Sequence, residues 1–131
     1  MTARPSRRQK TGQRAHRDGH RREWLAALYL MAKGYQILGF RLKTPLAEID
    51  LLARQGSSLV VIEVKSRQNI DLAELSLSAD QRDRLMRAGY QLCRSRPSLS
   101  RLTPRLDLIA LSPRRFPRHV RGLTTDGRLS F

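Results

Sequence analysis

Glu63 and Lys65 stand two residues apart at the polar end of a run otherwise made of Leu59, Val60, Val61, Ile62 and Val64. On a strand, side chains at i and i+2 share one face, so this carboxylate and this ammonium project together. Glu48 and Asp50 repeat the spacing among the apolar Ile49, Leu51 and Leu52. The polar stretch Arg54-Gln-Gly-Ser-Ser58 separates the two runs and reads as a hairpin turn. A four-residue turn over Gln55–Ser58 pairs Arg54 with Leu59 and therefore sets Asp50 opposite Glu63, with Cβ atoms roughly 5 Å apart. Two carboxylates that close repel unless a cation lies between them.

A hard divalent ion, magnesium or manganese, takes such oxygen ligands and keeps several waters. Bound there, it polarises a phosphoryl oxygen and acidifies an attacking water. Lys65 beside it orients that water or offsets charge on the phosphate. An isolated Glu-x-Lys on a strand more often closes an ion pair at a strand end. The second acid and the basic background shift the balance towards chemistry.

That background is strong. The chain carries 26 Lys and Arg against 11 Asp and Glu, a net charge of +15. Basic surface attracts phosphate by releasing condensed counterions, whatever the base sequence. Arginine far outnumbers lysine, which occurs only at Lys10, Lys33, Lys43 and Lys65. Codon bias accounts for that ratio but not for the shortage of acids. Nucleic acid is the expected partner, with Arg67, Arg94, Arg114 and Arg115 as candidate phosphate contacts. Arg67 follows the Glu63/Lys65 pair directly, and a guanidinium can hold a phosphate through two hydrogen bonds. Arg94, Arg96, Arg101, Arg105, Arg114, Arg115, Arg118 and Arg121 share their stretch with Asp107 as its one acid.

The elements that position these groups follow from composition and period. At 131 residues the chain fits one domain. No apolar run nears the roughly 20 residues of a membrane span, and the lone Cys93 excludes an intramolecular disulfide. The Arg-rich N-terminus has neither the apolar core of a secretory signal nor an amphipathic face, so the cytoplasm is the expected compartment and a membrane is not an expected partner. Residues 1–17 read as a disordered basic arm and 18–131 as a single domain. A helix is expected from an Asp18 cap, with Leu25, Leu28 and Ala32 at helical spacing, to a Gly34 stop. Strands follow at Tyr35–Leu42, Ala47–Ala53 and Leu59–Lys65, the last expected to be central. Ser66–Leu77 gives little local signal and reads as a mobile loop. Ser78-Ala-Asp-Gln81 opens a second helix that Pro97 ends. Leu106–Leu111 is a fourth strand, with a short fifth at His119–Leu123. The order describes an α/β domain around a mixed sheet.

Other residues read more simply. Trp24, Tyr29, Tyr35 and Phe40 fit core positions, and Cys93 a buried thiol. Glu48 fits a solvated or Arg-paired acid, and Asp107 a salt bridge or a sheet-edge position. His16, His20 and His119 lack metal-cluster spacing.

The segments His20-Arg-Arg-Glu23, Lys33-Gly-Tyr-Gln-Ile-Leu38, Ala47-Glu-Ile-Asp-Leu-Leu52, Val61-Ile-Glu-Val-Lys-Ser-Arg67 and Arg105-Leu-Asp107 together resemble the YraN-type family of small bacterial proteins. That family is grouped with the PD-(D/E)xK nucleases and is similar to Holliday-junction resolvases. The resemblance covers about residues 18–123. It implies a restriction-endonuclease-like fold, a central mixed β-sheet flanked by helices, and an endonuclease site. In that site Asp50 and Glu63 would be metal ligands, Lys65 the catalytic lysine and Glu23 a further acid at the metal. Gln81 falls where related nucleases place a polar residue, although its capping role already explains it. The chain departs from the family pattern at Ala47, where glycine is usual, and at Arg41-Leu42-Lys43, where an asparagine is usual. Resolvase-like relatives imply a possible homodimer, and DNA ahead of RNA. The contrasting expectation is a nucleic-acid- or ribosome-associated binding module on the same fold, without turnover.

Overall fold

The computed structural model describes residues 7–68, 73 and 76–123, and for residues 7–19 the backbone alone. Helix α1 spans Arg7–Ala32, followed by strands β1 (Gln36–Lys43), β2 (Glu48–Gln55) and β3 (Ser58–Ser66). Helix α2 (Ala79–Ser95) and a 3-10 turn at Pro97–Leu99 lead to β4 (Thr103–Leu111) and β5 (Arg118–Val120). The five strands form one mixed sheet in the order β1-β2-β3-β4-β5, antiparallel throughout except for the parallel β3–β4 pair. This is the α/β arrangement of a restriction-endonuclease-like fold.

The sheet separates two apolar layers. On one face Leu52, Leu59, Val61 and Leu106 pack under Leu85, Ala88 and Leu92 of α2. On the other, Leu51, Ala53, Val60, Ile62 and Ile109 pack under Ala26, Ala27 and Leu30 of α1. Strand β3, buried on both faces from Leu59 to Ile62, is central, as its β-branched run requires. Close approach of α2 depends on Gly89, where an added Cβ would come within 3.0 Å of Val61 Cγ2 and 3.3 Å of Pro104 Cβ. Cys93 is buried on the inner side of α2, which raises its thiol pKa.

Two expectations about α1 change. Its backbone runs back to Arg7, well before Asp18; the segment has no proline after Pro5 and many good helix formers. Residues 1–6 of the expected arm, half of the expected loop over Ser66–Leu77 and residues 124–131 lie outside the described residues. The face of α1 also differs. Leu25 and Leu28 are 51% and 55% exposed, and Trp24 is exposed against Phe40, with ring centroids 4.9 Å apart. The helix is apolar nearly all round from Trp24 to Ala32, so period alone does not choose a face. The small Ala26 and Ala27 let the backbone lie close to the sheet, and Leu30 completes the buried stripe.

Candidate active site

The hairpin between β2 and β3 fixes the register on which the site depends. Gly56, at φ +56°, takes the first central position of a two-residue turn, where a positive φ suits glycine. Arg54 pairs with Leu59 and the ladder runs on to Leu51 and Ile62. One step further the same register sets Asp50 against Glu63. There the Asp50 carboxylate leaves the strand pattern and accepts the Val64 amide proton at 2.9 Å.

Asp50 and Glu63 lie close enough that each carboxyl shifts the other's ionisation. Burial raises both pKa values. Glu63, further disfavoured as an anion by the Asp50 charge, is pushed to about 7. The Val64 amide, Glu63 and Lys65 oppose the rise at Asp50, while Glu48 adds to it. Lys65 Nζ lies 3.3 Å from Glu63 Oε1. One ammonium therefore faces two carboxyl groups whose ionisation burial disfavours, and positive charge is in deficit.

These groups sit at the edge of a cleft of about 400 Å³ lined by Glu23, Arg41, Ala47, Glu48, Asp50, Glu63, Gln81, Arg84 and Leu85. Helix α2 reaches it with its first turns. The Ser78 side chain caps the helix by accepting from the Gln81 amide at 3.1 Å, and Gln81 and Arg84 then fall one turn apart on the cleft wall. Glu23 enters from α1, buried, with both carboxylate oxygens accepting from Arg41 Nε at 3.0 and 2.9 Å. Arg41 holds φ +47°, in the left-handed region, at the β1 position beside Asp50 in register.

The residues expected from sequence are thus brought together unequally. Asp50, Glu63 and Lys65 form one cluster. Glu23 shares the cleft but is committed to Arg41. Among the described residues no group of three or more His, Cys, Asp or Glu side chains is placed to hold a metal ion. The donor set that fits a divalent cation is the Asp50–Glu63 pair, since magnesium takes one or two carboxylates and completes its shell with water. Glu48 is exposed on the rim. Arg67 follows β3, its amide on the Leu111 carbonyl at 3.0 Å and its guanidinium donating to the Ser66 carbonyl at 2.8 Å. Arg114 and Arg115 are exposed on the β4–β5 connection. Arg94 lies apart, lining a hollow with Leu46, Arg87 and Tyr90.

Sequence reasoning left out Arg41 and Arg84, and kept Gln81 out of the catalytic set because its capping role already explained it. The one-turn spacing of Gln81 and Arg84 was the available signal on α2. For Arg41 the register of β1 against β2 was needed, and an irregularity between Ile37 and Gly39 hides it.

On the opposite face, Asp107 is fully buried and accepts four hydrogen bonds. Arg105 donates through Nε and Nη2 at 2.9 Å each, His119 through Nε2 at 2.7 Å and the Gly122 amide at 3.0 Å. Lys33 Nζ lies 2.7 Å from His119 Nδ1; an ammonium only donates, which fixes the proton of a neutral ring on Nε2. Burial raises the Asp107 pKa, but these donors outweigh it and hold the carboxyl below its usual range. The expected salt bridge is present, inside the fold rather than at a sheet edge.

Comparison with known proteins agrees with the motifs. A UPF0102 protein of Caulobacter sp. strain K31 is 52% identical over 117 residues, 89% of this chain and 84% of that protein. One of Caulobacter vibrioides is 54% identical over 113 residues, covering 86% and 90%. A Brucella canis relative is 38% identical over 109 residues, covering 83% and 86%. Residues 22–111, which carry Glu23, Asp50, Glu63, Lys65 and the whole cleft, match the uncharacterised protein family UPF0102, the YraN family, to which this chain belongs.

Proposed function

We propose that the protein is a metal-dependent endonuclease that hydrolyses phosphodiester bonds, with DNA ahead of RNA as substrate. The observation that carries this reading is the Asp50–Glu63 pair: two half-buried and buried carboxyls, short of positive charge, with Lys65 3.3 Å from Glu63. Uncompensated buried acids are costly to keep, and such perturbed groups concentrate at functional sites.

Asp50 and Glu63 would hold a magnesium or manganese ion, which when bound supplies Lewis-acid polarisation of the phosphoryl oxygen and a more acidic water. Lys65 orients the attacking water and offsets charge that develops on the phosphate. Arg84 and Gln81 face the cleft, where a guanidinium and an amide suit phosphate oxygens. Glu23 holds Arg41 in place rather than reaching the ion itself. Arg67, Arg114 and Arg115 contact the nucleic-acid backbone near the cleft, and Arg94 does so further along α2. The exposed stripe of Trp24, Leu25, Leu28 and Met31 on α1 suits a second copy of the chain, since an isologous contact lays the same apolar residues against each other. Sedimentation of the wild type and Leu28→Lys tests this: a dimer that becomes a monomer supports it, and a wild-type monomer at tens of micromolar rejects it.

Among the described residues no helix is long and apolar enough to cross a membrane. The contrasting reading, a nucleic-acid- or ribosome-associated binding module, uses the same basic surface without turnover. One experiment separates the two. Labelled single-stranded, duplex and four-way-junction DNA and RNA are offered to wild type, Asp50→Ala and Lys65→Ala, with magnesium or manganese and with EDTA. Metal-dependent cutting that both variants lose while binding survives is the expected result. Equal salt-dependent binding by all three proteins with no cutting leaves the binding module.

A further inference from the structure

The β4–β5 connection reads Ser112-Pro-Arg-Arg-Phe-Pro117. Phe116 is 91% exposed, far beyond any other exposed large hydrophobic side chain among the described residues. A lone aromatic ring in water contributes nothing to the core. Its neighbours are equally unusual. The turn closes with the Arg115 amide on the Ser112 carbonyl at 3.3 Å, Pro113 follows Ser112, and Arg114 takes the next position with φ +61°. That position of such a turn favours glycine or asparagine, so an arginine there is held in a strained backbone conformation. Pro113 and Pro117 restrict φ on either side, so the tip is preset rather than slack.

Topology places this tip beside the candidate site. Because β3 and β4 are parallel, their C-terminal ends lie at one edge of the sheet, with Lys65 beside Ala110 and Ser66 beside Leu111. Arg118 pairs with Ala110 from the other side, so Lys65, Ala110 and Arg118 lie in one row. Two strand spacings put the Arg118 backbone about 10 Å from that of Lys65. The Ser112 hydroxyl donates to the Gln68 carbonyl at 2.9 Å and ties the tip to the segment that follows Lys65. From Arg84 to Leu123 the one acid in the sequence is Asp107, which is fully buried and fully engaged.

We propose that this tip is a wedge for nucleic acid. Arg114 and Arg115 hold phosphates while Phe116 stacks on a base, so the favoured ligand has unpaired or readily unstacked bases beside the cleft. An aromatic ring flanked by guanidinium groups is the pairing that single-stranded nucleic acid selects, because every base offers a π-face. The placement relative to the scissile bond rests on the nuclease reading; the stacking does not.

The test is binding in EDTA, with no cleavage. Wild type, Phe116→Ala, Phe116→Trp and Arg114→Gly are titrated with a single strand, a blunt duplex and a forked duplex carrying 2-aminopurine at the fork. Phe116→Ala should weaken binding of the single strand and the fork about 5- to 100-fold and abolish the change in 2-aminopurine fluorescence. Blunt-duplex affinity should stay nearly constant, and Phe116→Trp should bind like wild type. Arg114→Gly should melt at the same or a higher temperature yet bind every ligand more weakly, which a merely structural arginine would not do. Wild-type affinity and fluorescence in Phe116→Ala on all three ligands overturn the wedge. Metal-dependent cutting with that result leaves the nuclease standing alone. No cutting, but a selective loss in Phe116→Ala, leaves the wedge standing and removes the nuclease. A wild type that binds none of the ligands removes both.

Discussion

The two faces of the sheet each bury acidic groups, and they treat them in opposite ways. On the α1 face Asp107 has four donors around it, two from Arg105 and one each from His119 and Gly122, and its pKa is lowered. On the α2 face Asp50 and Glu63 have the Val64 amide and Lys65 between them, and both pKa values are raised. The first arrangement fastens β5 to β4 and to the end of α1. The second leaves carboxylate oxygens turned to a cleft with too little positive charge. Burial alone therefore does not set the charge state of an acid; the balance of donors around it does.

The largest test of that contrast is activity. Asp50→Ala and Lys65→Ala should each lower cleavage by about a hundredfold or more, in the range seen when one electrostatic stabiliser is removed, as rates on the labelled DNA panel would show. Asp107→Ala should leave the half-buried Arg105 without its carboxylate partner and cost about 3–5 kcal/mol, the loss typical of a broken buried pair. Thermal melting should fall by about 10–20 °C. If Asp107→Ala melts like wild type, the α1-face cluster is not the fastening it is taken for.

His119→Ala removes one donor of four and should cost about 1.5–3 kcal/mol by the same measurement, the range for a hydrogen bond to a charged group. Glu63→Gln acts with the opposite sign, and only above the ordinary carboxylate range. Because the Glu63 pKa rises from an ordinary 4.5 to about 7 on folding, the folded state keeps a proton that the unfolded chain releases. Stability is then present at low pH and lost as pH rises from about 4.5 to about 7. Replacing Glu63 by Gln should flatten that limb and stabilise the protein at pH 8 by up to about 3 kcal/mol, read as denaturant midpoints in EDTA across pH. At Asp107 the sign reverses, and its contribution disappears as pH falls below the ordinary 3.8 towards its lowered pKa. A Glu63→Gln profile that parallels wild type from pH 4 to 8 would erase the difference between the faces.

Much of the site could be read from sequence because strand alternation and hairpin register are local rules. Glu63 and Lys65 at i and i+2, and Asp50 across a turn marked by Gly56, needed no tertiary information. The Ser78 cap and the central position of the β-branched β3 were legible for the same reason. The outward face of α1 was not, because apolar residues surround that helix and only packing of Ala26, Ala27 and Leu30 on the sheet selects the buried side.

What the sequence determined by itself is therefore the chemistry available: a basic chain, an acid pair in register and a lysine on the same face. Tertiary structure decided how that chemistry is shared out. It gave Glu23 to Arg41, brought Gln81 and Arg84 of α2 to the cleft that the acid pair lines, and gathered Lys33, Tyr35, Arg105 and His119 around Asp107. Charges in a low-dielectric interior respond to every donor within a few ångströms, and those donors come from segments far apart in the chain.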